Sequence, residues 1–119
     1  SQLKIAELKA KAADKITYSA KERAKFLEQA LAEEDAIAKR ELEIAQERYR
    51  LLEEESKLAE NSTEENDELA RAYVEMKNAQ TSYFNKSREL TAQLTEARKQ
   101  EAAEAIRIKK EHIEFNKRH

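Results

Sequence analysis

Apolar residues recur every seven positions along most of this 119-residue chain, with polar residues between them. An α-helix turns once in about 3.6 residues, so a seven-residue interval places the members of a row on one side of a helix. The rows between residues 31 and 59 are Ile37, Ile44, Leu51 and Leu58; Leu31, Ala38, Ala45, Leu52 and Ala59; and Leu42 and Tyr49. Together they are wider than a two-stranded seam, which indicates contact with more than one neighbouring helix.

A second set of rows begins at residue 69. Its members, again at intervals of seven, are Leu69, Met76, Tyr83, Leu90 and Ala97, and beside them Tyr73, Gln80, Ser87 and Leu94. The polar members of the second row weaken a seam but help to fix its register. After Ala97 the pattern indicates a phase shift, with Ala105, Ile108, His112 and Phe115 taking over. Such a shift either changes the supercoil locally or marks where a partner helix ends and the first helix begins to pack.

Two helix starts separate these rows. Ser19 and Glu22 have the spacing of a capping box, in which a hydroxyl and a carboxylate satisfy unpaired backbone N–H groups at a helix N-terminus. Ser62 and Glu65 repeat that spacing, and acidic residues crowd the turns that follow, where the positive end of a helix favours them. We therefore predict helix caps at both positions.

The predicted fold is all-α, with helices over residues 2–17, 20–60 and 63–117. The first carries an apolar strip of Ile5, Leu8, Ala12 and Ile16. A turn of two or three residues favours an elongated antiparallel coiled-coil hairpin of the two long helices, with the short helix packed on the second helix at one end. One continuous helix in a parallel assembly is the alternative. We expect a single elongated helical segment that is part of a longer chain.

Composition supports this prediction. The chain has no Gly, Pro, Cys or Trp, while charged residues make up 40% and aromatic residues 6%. Gly and Pro break helices and build tight turns, so their absence favours long helices over a sheet of hairpins. Without cysteine there is neither a disulfide framework nor a thiolate metal site.

The net charge of −2 conceals an uneven distribution. Residues 53–68 carry eight acidic side chains and one basic side chain, whereas residues 98–119 carry seven Lys or Arg and four Glu. Such blocks are typical of a solvated helix surface, and weak end-to-end attraction between segments is the functional alternative.

No residue pattern indicates catalysis, a cofactor or a metal. Phosphate-binding loops require glycine, and His112 and His119 are seven residues apart instead of the four used by helical zinc sites. Lys109 stands where a Glu-x-x-His di-iron motif needs glutamate. A slender bundle also offers little room for a cleft that perturbs carboxylate pKa values. We expect no enzymatic activity, no cofactor and no metal.

Nucleic acid and membrane are not the expected partners of this segment. Acidic and basic residues interleave instead of forming a basic stripe, and no apolar run is long enough to span a bilayer. The wide apolar rows instead favour other helices of the same protein or a homo-oligomer.

Six short stretches between about residue 15 and residue 95 carry a family resemblance. They are Ile16–Arg23, Leu27–Glu34, Ala45–Leu52, Asn61–Thr63, Glu68–Ala70 and Asn78–Gln80. The chain resembles helical modules in tail tape-measure proteins of phages and prophages from Bacteroides-like bacteria. The resemblance implies a helical chain that fills the tail tube, sets tail length and leaves the tube at infection.

The resemblance also implies tail-tube proteins as partners, and a location in the cytoplasm during assembly and then in the virion tail. No catalytic residue is carried over, because a spacer has none. Two other classes stay open from the residues alone: a cellular coiled-coil adaptor or scaffold that binds a partner helix along its apolar face, and a helical stalk of a larger machine.

Overall fold

A computed structural model describes residues 1–58 and 63–118, which form three helices. They are α1 (Gln2–Ala13), α2 (Ala20–Leu58) and α3 (Thr63–Arg118). The described residues contain no strand, so the all-α prediction is confirmed. Residues 59–62 lie outside the described residues. Four parts of the sequence prediction fall on them or depend on them: Ala59, the end of the second helix at residue 60, the cap at Ser62 and its contact with Glu65.

The prediction that α1 extends to residue 17 is wrong, because the helix ends at Ala13. Asp14 follows with φ −84° and ψ 89°, which takes the backbone out of the helical region. Its Oδ1 accepts hydrogen bonds from the backbone N–H groups of Ile16, at 3.1 Å, and Thr17, at 3.0 Å. The Asp14 side chain therefore offers the backbone a turn that competes with another helical turn. Ile16, placed in the apolar strip by the sequence, is 99% exposed.

The start of α2 has the capping-box geometry expected of Ser19 and Glu22. The backbone N–H of Glu22 donates to Ser19 Oγ at 3.2 Å, and the backbone N–H of Ser19 donates to Glu22 Oε1 at 3.2 Å. Both groups satisfy N–H donors that a helix N-terminus otherwise leaves unpaired. The cap fixes where α2 begins.

The chain forms two compact units. The three-helix unit comprises Ser1–Glu34 and Glu89–His119, and the two-helix unit comprises Asp35–Arg88. α2 and α3 each contribute one part of their length to each unit.

In the three-helix unit, α1 lies antiparallel on α2. Lys4 near the start of α1 bonds Glu33 at 2.9 Å, whereas Lys11 near its end lies over the Phe26 ring, with Nζ 5.4 Å from the ring centre. The predicted docking of the short helix on the second helix is therefore observed. The buried apolar residues of this unit are Ile5, Leu8, Ala20, Ala24, Ala30, Leu31 and Leu90. Its buried alanines allow the helix backbones to approach closely.

In the two-helix unit, α2 and α3 lie antiparallel. The rings of Tyr49 and Tyr73 meet with centres 5.5 Å apart, and Arg48 Nη1 lies 3.3 Å from Glu75 Oε2. Among the described residues of this unit only Ala72 is a buried apolar residue. The pair is a hairpin arm with a thin seam, and the described residues of this unit place no further helix on it.

We predict that Leu90→Ala lowers the free energy of unfolding by about 2 to 4 kcal/mol, because it leaves a cavity in the three-helix unit. Leu90 is 6% exposed. Ile16→Ala removes a side chain of similar size from a fully exposed position, so it should change stability by less than about 0.5 kcal/mol. Urea denaturation followed by circular dichroism compares the two. Equal losses would show that Leu90 does not belong to the core.

Candidate functional site: packing seam and exposed faces

The seam of the two-helix unit follows alternating steps of three and four residues on both helices. Its half-buried positions on α2 are Asp35, Ala38, Leu42, Ala45, Tyr49, Leu52 and Ser56, and Ile37 and Glu53 are half-buried outside this spacing. On α3 the buried or half-buried positions are Leu69, Ala72, Met76, Ala79, Gln80, Tyr83, Lys86 and Ser87. This spacing is the coiled-coil pattern in which each side chain of one helix fits among those of the other.

The predicted seam residues divide into three groups by burial. Leu31 and Leu90 are buried in the three-helix unit. The half-buried ones are Ile37, Leu42, Tyr49, Leu52, Leu69, Met76, Tyr83 and Leu94. Tyr73 is 45% exposed but keeps its ring contact with Tyr49, whereas Ile44 is 60% exposed.

The assignment of Ile44 to the seam is therefore wrong. Ile44 precedes Ala45 by one residue, which turns it about 100° around α2, away from α3. Ala45 is half-buried, and so are Ala38 and Leu52 of its row. The row of Ile44, Leu51 and Leu58, which we call the outer row, faces away from the seam, with exposed fractions of 60%, 47% and 91%.

Tyr49 and Tyr83 are half-buried seam residues whose hydroxyls have carboxylate partners. A hydrogen bond to Glu53 raises the pKa of the Tyr49 hydroxyl. Burial, together with a hydrogen bond to Asp35, raises the pKa of Tyr83. Each ring thus packs in the seam while its hydroxyl reaches a carboxylate at the edge, a use of tyrosine common where apolar and wet surfaces meet.

The apolar rows of α3 do not change phase after Ala97, in contrast to the prediction. The row through Leu94 continues in phase to Glu101, Ile108 and Phe115, and the row through Ala97 continues to Glu104. Glu101 and Glu104 are the last half-buried positions, and residues 105–118 are all exposed. α1 does not extend the seam there, because its ion pairs with α2 place it at Glu33 and Glu34.

Glu104 joins three parts of the three-helix unit. Its Oε2 accepts the backbone N–H of Ala20, the first residue of α2, at 3.1 Å and lies 3.7 Å from Arg23 Nη2. Arg23 also donates from Nη1 to the Tyr18 carbonyl at 2.7 Å. The α3 carboxylate therefore caps α2 from outside, beside the capping box. The seven-residue row of Ala97 reaches Glu104 one step later, so the sequence could have indicated this residue. Its partner Ala20, however, lies 84 residues earlier in the chain.

We predict that Glu104→Ala destabilises the chain by about 1 to 2 kcal/mol, because it leaves the Ala20 N–H without its acceptor and Arg23 without its carboxylate. Glu111→Ala is the matched control, since Glu111 is an exposed glutamate of the same helix that pairs only at the surface with Arg107. Thermal unfolding measures both. A loss from Glu111→Ala as large as that from Glu104→Ala would contradict the capping role.

The charge of Glu33 supplies one of the contacts between α1 and α2, in addition to the buried Ile5 and Leu8. Hydrogen bonding from Lys4 is the main cause that lowers the pKa of the Glu33 carboxyl, and the same bond raises the pKa of Lys4. A carboxyl with a lowered folded-state pKa adds stability above its unfolded pKa, and this stability is lost as the pH falls through the folded value. Docking of α1 should therefore weaken in acid.

We predict that amide-exchange protection of α1 falls when the pH drops from 7 to about 3, below the usual range of glutamate pKa values. Glu33→Gln should give slightly weaker protection at pH 7 and a flatter pH dependence, because an exposed ion pair contributes only modestly to stability. Glu111→Gln, which removes a carboxylate from α3, should behave like the unmodified chain. Identical pH profiles for Glu33→Gln and the unmodified chain would exclude Glu33 as the group responsible.

The described residues hold no group of three or more metal-ligating side chains, and His112 is exposed. No helix within the described ranges is long and apolar enough to cross a membrane. A shallow groove runs along α2 beside Ile44 and Leu51.

Comparison with known proteins gives no relative: no protein-family model, no curated protein and no solved structure matches this chain. The class that the fold defines is an all-helical coiled-coil hairpin.

Proposed function

We propose that this chain is a non-enzymatic structural coiled-coil segment that acts as a spacer, within a length ruler like the tape-measure protein of a phage tail. The observation that carries the proposal is the combination of long helices, Ala20–Leu58 and Thr63–Arg118, with a seam that repeats every seven residues. Helix length translates directly into distance, at about 1.5 Å per residue.

The sequence resemblance to tape-measure modules supports the same function, with tail-tube proteins as partners. Most exposed positions of α2 and α3 carry polar side chains, which suits a chain that must stay in solution before the tail closes around it. A thin seam also suits a hairpin that opens inside a tube, since the two-helix unit has Ala72 as its one buried apolar residue among those described. Opening such a pair exposes less apolar surface than opening a globular core.

A cellular adaptor or scaffold is the second candidate. The exposed outer row of α2 favours it, because apolar residues every seven positions form the kind of surface that a partner helix covers. The two functions differ in what they require: a ruler depends on length, whereas an adaptor depends on the identity of surface residues.

The ruler is tested by deleting residues 35–88 in the protein as it occurs in the phage or prophage and measuring tails by electron microscopy. An extended ruler should shorten tails by about 80 Å, at about 1.5 Å per helical residue. If the two helices stay side by side inside the tube, the same deletion should shorten tails by about half as much.

Replacing residues 35–88 with an unrelated coiled-coil hairpin of equal length is the control. A ruler should keep its normal tail length after this exchange, because only distance matters. An adaptor should lose its partner after the exchange, since its surface residues are gone. Unchanged tail length after the deletion would overturn the ruler.

A further inference from the structure

The seam side of α3 continues beyond the first residue of α2. Ala20 begins α2, is 5% exposed and donates its backbone N–H to Glu104 Oε2 at 3.1 Å. Ile108 follows Glu104 by four residues, so it lies on the same side of α3, one turn further along. It is 52% exposed. The side of α3 that meets α2 at Ala20 therefore presents an apolar residue just past the point where α2 starts.

A groove lies at this junction of α2 and α3. Ile108 lines it together with Ser19, Ala20, Lys21, Glu101, Glu104 and Ala105. Ile16 precedes Ala20 by four residues and is 99% exposed, so its side chain does not fill the groove. If the chain before Ala20 were helical, Ile16 would lie one turn before Ala20 on the same side of α2. In an antiparallel pair that position faces Ile108, one turn beyond Glu104.

The linker between α1 and α2, residues 14–19, is already close to helical. The backbone N–H of Tyr18 donates to the Asp14 carbonyl at 3.3 Å, which is the hydrogen bond of one α-helical turn. The linker has no Gly or Pro, and none of its residues has a positive φ.

Two residues hold the bend on either side of that turn. Asp14 has a ψ of 89°, outside the helical region, and its carboxylate accepts the backbone N–H groups of Ile16 and Thr17. The Ser19 hydroxyl accepts the backbone N–H of Glu22 and so caps α2. The bend therefore depends on two polar side chains and not on residues that cannot be helical.

α1 has a limited contact with α2. It has 12 residues, a length at which an isolated helix is marginal in water, and its buried residues are Ile5 and Leu8. Release of α1 would uncover these two side chains and the α2 surface beneath them. A helix that continued through the linker would in exchange cover Ile16 and Ile108 and add the helical hydrogen bonds of residues 14–19. Asp14 and Ser19 favour the bent side of this exchange.

We propose that residues 14–19 are a hinge between two arrangements of α1. In the bent arrangement, which the structure shows, α1 lies antiparallel on α2. In the straight arrangement α1, the linker and α2 form one helix, Ile16 packs against Ile108, and the seam with α3 becomes longer. The backbone N–H of Ala20 then bonds the Ile16 carbonyl, so it no longer requires Glu104 as its acceptor. Two packings of one sequence are a known form of conformational switch. The proposal does not rest on the ruler function.

A distance between two spin labels distinguishes the arrangements. The chain has no cysteine, so Leu3→Cys and Ala32→Cys attach one label to an exposed position of α1 and one to an exposed position of α2. In the bent arrangement the labels lie on adjacent helices with axes about 8 to 10 Å apart, so we expect a distance below about 25 Å. In one straight helix they would lie about 44 Å apart, at about 1.5 Å per residue.

Removal of the two side chains that hold the bend tests the hinge. Asp14→Ala combined with Ser19→Ala should shift the main distance to a narrow peak near 44 Å, because the turn and the cap are lost and alanine favours helix. Lys15→Ala is the matched control, since it changes an exposed linker residue and keeps both contacts, and it should keep the short distance. A short distance in the double variant overturns the proposal. A broad distribution also overturns it, because it would show that α1 detaches without joining α2.

A further substitution tests the contact with α3. Ile108→Glu in the double variant should return the main distance to the short value, because its carboxylate would lie against Ile16. In the chain with intact Asp14 and Ser19 the same substitution should leave the distance unchanged. Ile106→Glu is the control, since Ile106 is also exposed but lies about 200° away around α3, and it should preserve the long distance. A long distance that survives Ile108→Glu overturns the packing of Ile16 on α3.

Discussion

The seven-residue seam between α2 and α3 is the interaction on which the other contacts depend. It carries the antiparallel pairing in each unit, and in the two-helix unit it is the main place where apolar surface leaves water. Its buried apolar residue in the described part of the two-helix unit is the small Ala72, so the helices pack there without a large fully buried side chain. Hydrophobic stabilisation scales with the apolar area buried, and here that area is spread over many small contacts.

Because the seam is thin, the stability of the fold depends more on the intrinsic stability of each helix. Strong helix formers fill the sequence, and the absence of Gly and Pro avoids interior positions that would cost about 1 to 3 kcal/mol each. Polar groups then act at the ends of the elements. Asp14 ends α1, and Ser19 and Glu22 cap the N-terminus of α2. Glu104 of α3 accepts a hydrogen bond from that N-terminus. The apolar seam supplies most of the attraction, and these polar contacts fix where each helix starts or stops.

The sequence was sufficient for features that depend on neighbouring residues in one helix. Helix type follows from composition, and the cap at Ser19 from a spacing of three residues. Two adjacent rows of equal period were harder to distinguish: the rows of Ile44 and of Ala45 differ by about 100° around α2, and hydrophobicity favours the wrong one. Only the position of α3 decides which row is covered. The same holds for Glu104, whose role depends on a backbone group far away in the chain. The end of α1 has a different cause, because Asp14 bonds the backbone locally and ends the helix before Ile16, a competition that periodicity does not measure.

The outer row links the candidate functions to one another. An adaptor would use this row directly, since a partner helix would cover Ile44, Leu51 and Leu58. A ruler makes a different demand, because it depends on helix length and not on which residues lie in the outer row.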